Sequence, residues 1–186
     1  YWQGRAAAYQ NQLGRARQRY LEAAELPLAF YGQLASISLS EPPATLTARI
    51  QRVGAPRPTP AQEAAFEQKE LVRVVRALAD IGEHRRARQF LLRLEELSPD
   101  PADDIMTIQL AHRIGRPDHA IWVVRRAGAS GLQAREEGWP RPYPPPEGGI
   151  EPALVYAITR QESNFDPEAV SCLLYTSPSP RDVEES

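Results

Sequence analysis

The chain has 186 residues, of which 42% are hydrophobic and 25% charged, and its net charge is −2. This composition predicts a globular chain with one fair-sized domain, or one domain and a fragment. It excludes the strong basic field typical of nucleic-acid binding and an apolar run long enough to span a bilayer. The single cysteine, Cys172, excludes an internal disulfide framework and a cysteine metal cluster.

Helical patterns dominate the first half of the chain. Residues 1–26 predict one helix, which Pro27 ends, and residues 28–37 predict a short second helix. Several prolines punctuate residues 38–60, which therefore predict a loop around a short helix at 45–53. Thr59 as N-cap, Pro60 at the first position and Glu63 in the first turn begin the strongest helix, which is predicted to run to about Ile81. Its predicted buried face consists of Leu71, Val74, Val75, Leu78 and Ala79.

The second half continues the helical pattern. Gly82 is predicted to end the long helix, and residues 83–97 predict a partner helix that buries Ala87, Phe90, Leu91 and Leu94. Residues 101–114 and 117–127 predict two further helices separated by a glycine. Glycine and proline dominate residues 128–149, which predict a long connection. Strand signals are almost absent, so the predicted fold class is all-α.

A weak internal repeat suggests stacked helical hairpins. Ile81-Gly82 and Ile114-Gly115 are offset by 114 − 81 = 33 residues, and Leu13-Gly14 lies 81 − 13 = 68 residues before the first of them. A period near ~34 is typical of a helical-hairpin, tetratricopeptide-like superhelix. The alternative is that helix-ending glycines recur by chance in any all-α chain.

A carboxylate lies near the end of the helix predicted at residues 151–171. Pro152 suits its first turn, and Asn164 begins a segment that stops it. Leu154, Ile158 and Glu162 follow one another at i, i+4 and i+8, so Glu162 continues an apolar stripe. Apolar neighbours and the helix C-terminus both disfavour a charged carboxyl, and general-acid chemistry needs the neutral form.

The same segment, LVYAITRQESNFDPEAVS, resembles the opening of the catalytic domain of soluble lytic murein transglycosylases. The matching residues are Leu154-Val155-Tyr156-Ala157-Ile158, Arg160-Gln161-Glu162-Ser163, Phe165, Pro167 and Ala169-Val170-Ser171. Upstream, GWPRPYP at 138–144, YWQ at 1–3 and LAFYGQLA at 28–35 are similar to other parts of this family. The resemblance implies four regions: an α-superhelical region at 1–137, a Pro/Gly-rich linker at 138–149, the first part of a lysozyme-like SLT catalytic domain at 150–171, and a tail at 172–186.

The resemblance also implies a function. The family cleaves the β-1,4 bond between N-acetylmuramic acid and N-acetylglucosamine in peptidoglycan without water, which makes it a lyase with a 1,6-anhydromuramoyl product. Glu162 would be its single acid/base, and Ser171 would contact substrate near the reacting sugar. The family needs no cofactor, its partner is the peptidoglycan glycan strand, and its compartment is the periplasm. The oligomeric state stays open.

The sequence departs from the family after Ser171. The family continues with Pro-Ala-Gly-Ala and Gly-Leu-Met-Gln, whereas residues 172–186 have neither motif. We interpret this tail as foreign sequence, with an ordinary disordered terminus as the alternative. A chain that begins at Tyr1 is expected to be a mature product or an internal fragment, and one catalytic helix is not expected to make a lytic cleft. The apolar face of that helix is expected to be exposed or docked on the superhelix.

The histidines and the helical repeats allow two further predictions. The three histidines, His84, His112 and His119, lack a second ligand at a useful spacing, so the sequence predicts surface or helix-packing roles rather than a zinc site. The alternative function is a non-catalytic helical-repeat scaffold or binding module, in which the helix at 151–171 only resembles the catalytic motif.

Overall fold

The computed structural model describes residues 1–98, 100–145 and 147–170. Within them the chain forms eleven α-helices and no strand, which confirms the all-α class. The helices are α1 (Trp2–Tyr9), α2 (Leu13–Ala24), α3 (Phe30–Ser38), α4 (Pro43–Arg52), α5 (Pro60–Glu67), α6 (Glu70–Asp80), α7 (His84–Leu97), α8 (Pro101–Arg113), α9 (Pro117–Ala129), α10 (Arg135–Gly138) and α11 (Pro152–Ser163). None of these helices is long and apolar enough to cross a membrane.

The first 26 residues form two helices, so the prediction of one continuous helix is wrong. Asn11 adopts the left-handed conformation, with φ of 58°, and the amide of Gln12 donates to the carbonyl of Ala7 at 2.9 Å. Asparagine tolerates this conformation better than most residues, which allows the turn without glycine or proline. Gly14 lies inside the first turn of α2, so Leu13-Gly14 does not mark a helix end.

The helix predicted from Thr59 to Ile81 is also two helices. Its start is confirmed, because Thr59 is the N-cap and forms a reciprocal capping box with Gln62, with Pro60 at the first helical position. The helix then stops at Glu67 and resumes at Glu70 as α6. The break directs Phe66 into the core, while the Lys69 ammonium lies 2.8 Å from the Asp103 carboxylate of α8. Tertiary contacts therefore override a continuous helical propensity.

Two helical hairpins, α6–α7 and α8–α9, build the main core. Gly82 and Gly115 lie between their helices with φ of 78° and 73°. The amides one residue further on donate back to Leu78 and Ala111 at 2.8 and 3.0 Å. Glycine adopts this conformation without the Cβ penalty, so both hairpins turn by the same helix-end geometry. The core contains Phe66, Val72, Val75, Ala87, Leu91, Leu94, Ile105, Met106, Ile108, Leu110, Ala111, Ala120, Val123 and Ala134.

The predicted buried faces agree with the structure in part. Ala87, Leu91 and Leu94 of α7 are buried as predicted, and Phe90 is partly buried. On α6, Val75 is buried, but its equally buried neighbour Val72 lies outside the predicted set. The other predicted members, Leu71, Val74, Leu78 and Ala79, are partly buried.

The connection predicted at residues 128–149 is shorter than expected. Helix α9 continues to Ala129, and the one-turn helix α10 interrupts the remainder. His112 of α8 bonds through Nε2 to the carbonyl of Glu137, at 2.9 Å, which places α10 against α8. The chain then runs through Trp139 and Tyr143 to the start of α11.

Candidate functional site

Helix α11 presents the proposed catalytic glutamate to solvent. Glu162 is exposed in its last turn, and Leu154 and Ile158 are each 53% exposed. The apolar surroundings expected around Glu162 are therefore not formed by the described residues. The apolar face of α11 is open, which is one of the two states expected from the sequence.

The turn that follows Glu162 has an unusual backbone. Asn164 and Phe165 are consecutive non-glycine residues in the left-handed region, with φ of 53° and 66°. Both are buried, and the Phe165 ring lies edge-on to Tyr156 with 6.2 Å between ring centroids. Such conformations persist only where the surrounding contacts determine them strongly.

A buried arginine ties this turn to the start of α9. The side chain of Arg116 is 6% exposed and donates to both carboxylate oxygens of Asp118 at 2.8 Å. It also donates to Oδ1 of Asp166 at 3.1 Å, and its Nη1 lies 3.6 Å from Glu168. The hydrogen bonds to Asp118 raise the pKa of Arg116 above its ordinary value. Arg116 therefore stays charged and bonds to a residue 50 positions further along the chain.

His119 lies next to this ion-pair cluster and is 2% exposed. Its Nε2 is 3.3 Å from Asp118 Oδ2, and its Nδ1 has no hydrogen-bond partner among the described residues. Burial lowers the pKa of His119 to about 4, and Asp118 offsets only part of this effect. The imidazole is therefore neutral at physiological pH. A polar cleft of about 340 Å³ adjoins the cluster, between Arg85 of α7 and the turn at Asp166.

The segment upstream of α11 packs against that helix. The guanidinium carbon of Arg160 lies 3.9 Å from the centre of the Trp139 ring, and its Nε donates to the carbonyl of Gly138 at 2.9 Å. The hydroxyl of Tyr156 donates to the carbonyl of Tyr143 at 2.8 Å. Burial and the nearby Arg125 lower the pKa of Arg160 to about 10. The segment at 138–143 and helix α11 are thus in direct contact.

The arrangement leaves one carboxylate in this region free of ion pairs with described residues. Asp166 and Glu168 both face Arg116, whereas Glu162 makes no ion pair or side-chain hydrogen bond with a described residue. An unpaired, exposed carboxyl at a helix end can exchange protons with a bound ligand. No group of three or more described His, Cys, Asp or Glu residues is placed to hold a metal ion. Ser171, the predicted substrate contact, lies outside the described residues, as do Cys172 and the rest of the tail.

Sequence reasoning missed Arg116 and its partners. Arg116 and Asp118 flank the proline that begins α9, and that local pattern was the only available signal. The partnership with Asp166 depends on the tertiary fold. The chain matches no protein-family model, no curated protein and no solved structure.

Proposed function

We propose that this chain is part of a peptidoglycan lytic transglycosylase, with residues 1–137 as an α-superhelical region and residues 150–171 as the first segment of a lysozyme-like SLT catalytic domain. The observation that carries the proposal is the motif around Glu162, which resembles that family in the segment from Leu154 to Ser171. The contact between Trp139 and Arg160 supports it, because both residues belong to segments with this resemblance. The equivalent turns at Gly82 and Gly115 support the repeated hairpins.

In the proposed reaction Glu162 acts first as an acid and then as a base. It donates its proton to the oxygen of the β-1,4 bond between N-acetylmuramic acid and N-acetylglucosamine as that bond breaks. The resulting carboxylate takes the proton of the C6 hydroxyl on the muramoyl residue. The C6 oxygen then attacks the anomeric carbon of the same sugar and closes a 1,6-anhydro ring.

An intramolecular nucleophile removes the need for a second carboxylate. A hydroxyl on the reacting sugar has a very high effective concentration, whereas ordinary glycosidases use a second Asp or Glu to activate water or to attack carbon. Asp166 and Glu168 both form ion pairs with Arg116, and this pairing is compatible with a mechanism that uses Glu162 as its single carboxylate. The proposal includes Ser171 as a substrate contact, no cofactor, peptidoglycan strands as the partner and a periplasmic location.

The test begins with the source gene across the codon for Cys172. A frame that continues with Pro-Ala-Gly-Ala and Gly-Leu-Met-Gln encodes the proposed catalytic domain. Its product should release muropeptides with 1,6-anhydro ends from purified sacculi, as measured by mass spectrometry. Glu162→Gln should abolish release, whereas Glu151→Gln, an exposed N-cap glutamate on the same helix, should retain it. Release by Glu162→Gln at the wild-type rate would refute the acid/base role.

The present chain is expected to release no muropeptides, because one catalytic helix cannot enclose a glycan strand. The second candidate function is a non-catalytic helical-repeat scaffold, favoured by the solvent exposure of Leu154, Ile158 and Glu162. Further helix-Gly-helix repeats after Ser171 in the gene would support the scaffold. That result would also remove the catalytic proposal.

A further inference from the structure

The turn after Glu162 needs an external restraint. Two consecutive left-handed residues, Asn164 and Phe165, reverse the chain directly after α11. Asn164 is a left-handed C-cap, which asparagine tolerates, but Phe165 lacks the freedom of glycine, and isolated segments seldom hold two such residues in succession. The local hydrogen bonds are few: Asn164 donates to Arg160 at 3.1 Å and Asp166 donates to Ser163 at 3.0 Å. A contact from another element would therefore add to the restraint on this turn.

Arg116 supplies such a contact and is itself already fixed. Asp118 holds its Nε and one Nη through two bonds of 2.8 Å. The same Nη reaches Asp166 at 3.1 Å, and Asp166 in turn accepts from the amide of Glu168 at 3.0 Å. The guanidinium is rigid, planar and almost fully buried, so it presents a fixed donor rather than a flexible one.

We infer that Arg116 is a positioning residue for Glu162, acting through Asp166 on the turn formed by residues 164–168. The helical region thereby fixes the end of α11 relative to α9. The importance of this restraint for catalysis rests on the proposed function. The contact between Arg116 and Asp166 does not depend on that proposal. The ring of Phe165 contacts Tyr156 of α11, and that contact does not tie the turn to α9 as Arg116 does.

Asp166→Asn is the sharpest variant for this inference. It removes the charge that faces Arg116 but keeps an oxygen that can accept from the Glu168 amide. Asp118 still neutralises Arg116, so the change leaves no uncompensated buried charge. The control is Glu41→Gln, which breaks a similarly sheltered pair with Arg49 in a distant part of the chain.

The measurement is amide hydrogen exchange of the whole 186-residue chain, resolved for residues 164–169. We expect Asp166→Asn to speed exchange there by about fivefold, which corresponds to about 1 kcal/mol of local opening free energy. Exchange in the α6–α9 core should not change, and Glu41→Gln should not affect the turn. Asp166→Glu should restore much of the protection, because it restores the carboxylate.

Two results would overturn the inference. One is unchanged exchange at residues 164–169 in Asp166→Asn. The other is an equal increase throughout α6–α9, since that would indicate a general loss of stability. Arg116→Lys offers an independent check, because lysine keeps the charge but cannot hold Asp118 and Asp166 with one planar group; the turn should again exchange faster. Failure of the gene product to cleave peptidoglycan would refute the proposed function without altering these exchange results.

Discussion

Arg160 of α11 lies across the face of Trp139, with 3.9 Å between the guanidinium carbon and the ring centre. The same arginine donates to the carbonyl of Gly138, so it contacts the upstream segment at two residues. A cation above an indole ring is favourable, and partial burial increases the effect. This pair therefore fastens the last turns of α11 to residues that the sequence suggested were only a linker.

Replacing Trp139 with leucine should loosen α11. The variant keeps an apolar side chain but removes the aromatic face, at a cost of about 1 kcal/mol. Amide exchange in α11 should rise several-fold while α6–α9 is unchanged. Trp122→Leu is the matched control: Trp122 is 39% exposed against 46% for Trp139, and it lies under Arg88 on a different helix. Equal effects of both variants on α11 would contradict the prediction.

Replacing either hairpin glycine with alanine should lower the free energy of unfolding. Gly82 and Gly115 have positive φ, and a Cβ at either position would meet open space. Gly82→Ala and Gly115→Ala should therefore each cost about 1–2 kcal/mol through backbone conformation alone. Urea unfolding measures the change in free energy.

Gly14→Ala is the control for these glycine variants. Gly14 lies in the first turn of α2 with ordinary helical φ, and its Cβ would also meet open space. Alanine there should stabilise the chain by about 0.5 kcal/mol, because it restricts the unfolded state and favours helix. A loss of stability comparable to that of Gly82→Ala would show that side-chain volume, not backbone conformation, causes the effect.

Sequence patterns predicted the helix ends that local chemistry determines. The N-cap at Thr59 and the helix-ending Gly82 and Gly115 were predicted correctly, because proline, glycine and capping side chains act over a few residues. The breaks at Asn11 and before Lys69 were missed. At Lys69 the chain turns to bury Phe66 and to pair with Asp103, which lies 34 positions away. Such partners cannot be read from a local window.

Asp104 should make the folded chain less stable as the pH rises. Burial, and then the charges of Glu95, Asp103 and Asp100, raise the pKa of Asp104 to about 6. The folded state therefore holds its proton where the unfolded state, with a pKa near 3.8, has lost it. Stability is lost as the pH increases from about 4 to 6. Asp104→Asn should accordingly gain up to about 3 kcal/mol at pH 7 and much less at pH 4.

Asp103→Asn provides the control of opposite sign on the same helix. Asp103 pairs with Lys69 at 2.8 Å, so loss of its charge should weaken the chain at pH 7. The expected cost is about 0.5 kcal/mol, because the pair is partly exposed. Urea unfolding of both variants at the two pH values measures the difference. An Asp104→Asn gain that is the same at pH 4 and pH 7 would contradict a titration effect.

The sequence predicted only those residues of the candidate site that lie within the motif around Glu162. The motif identified Glu162 as a candidate. The expected apolar surroundings of Glu162 depended on helical spacing alone, and Leu154 and Ile158 face solvent because no described element covers them. Arg116 was missed since its contact with Asp166 joins residues 50 positions apart. Helical spacing predicts which face of a helix a residue lies on, but it does not predict which element packs against that face.

His119 should make the chain sensitive to mild acid. Its pKa in the folded state is about 4, against 6.5 ordinarily, because burial outweighs the attraction of Asp118. Arg116 and Arg88 also oppose protonation, and Asp166 favours it weakly. The unfolded state therefore binds a proton first as the pH falls, so stability present above pH 6.5 is lost towards pH 4. The loss is opposite in sign to the effect of Asp104.

His119→Gln should remove this sensitivity. The glutamine amide has an N–H that can donate to Asp118, and it does not titrate. Between pH 7 and pH 4.5 the wild type should lose up to about 2 kcal/mol more than the variant. Both chains retain Asp104, so its contribution cancels in the difference. Urea unfolding across this range measures the free energy of unfolding of both chains as a function of pH. Parallel curves would show that His119 is not the group whose protonation destabilises the chain in mild acid.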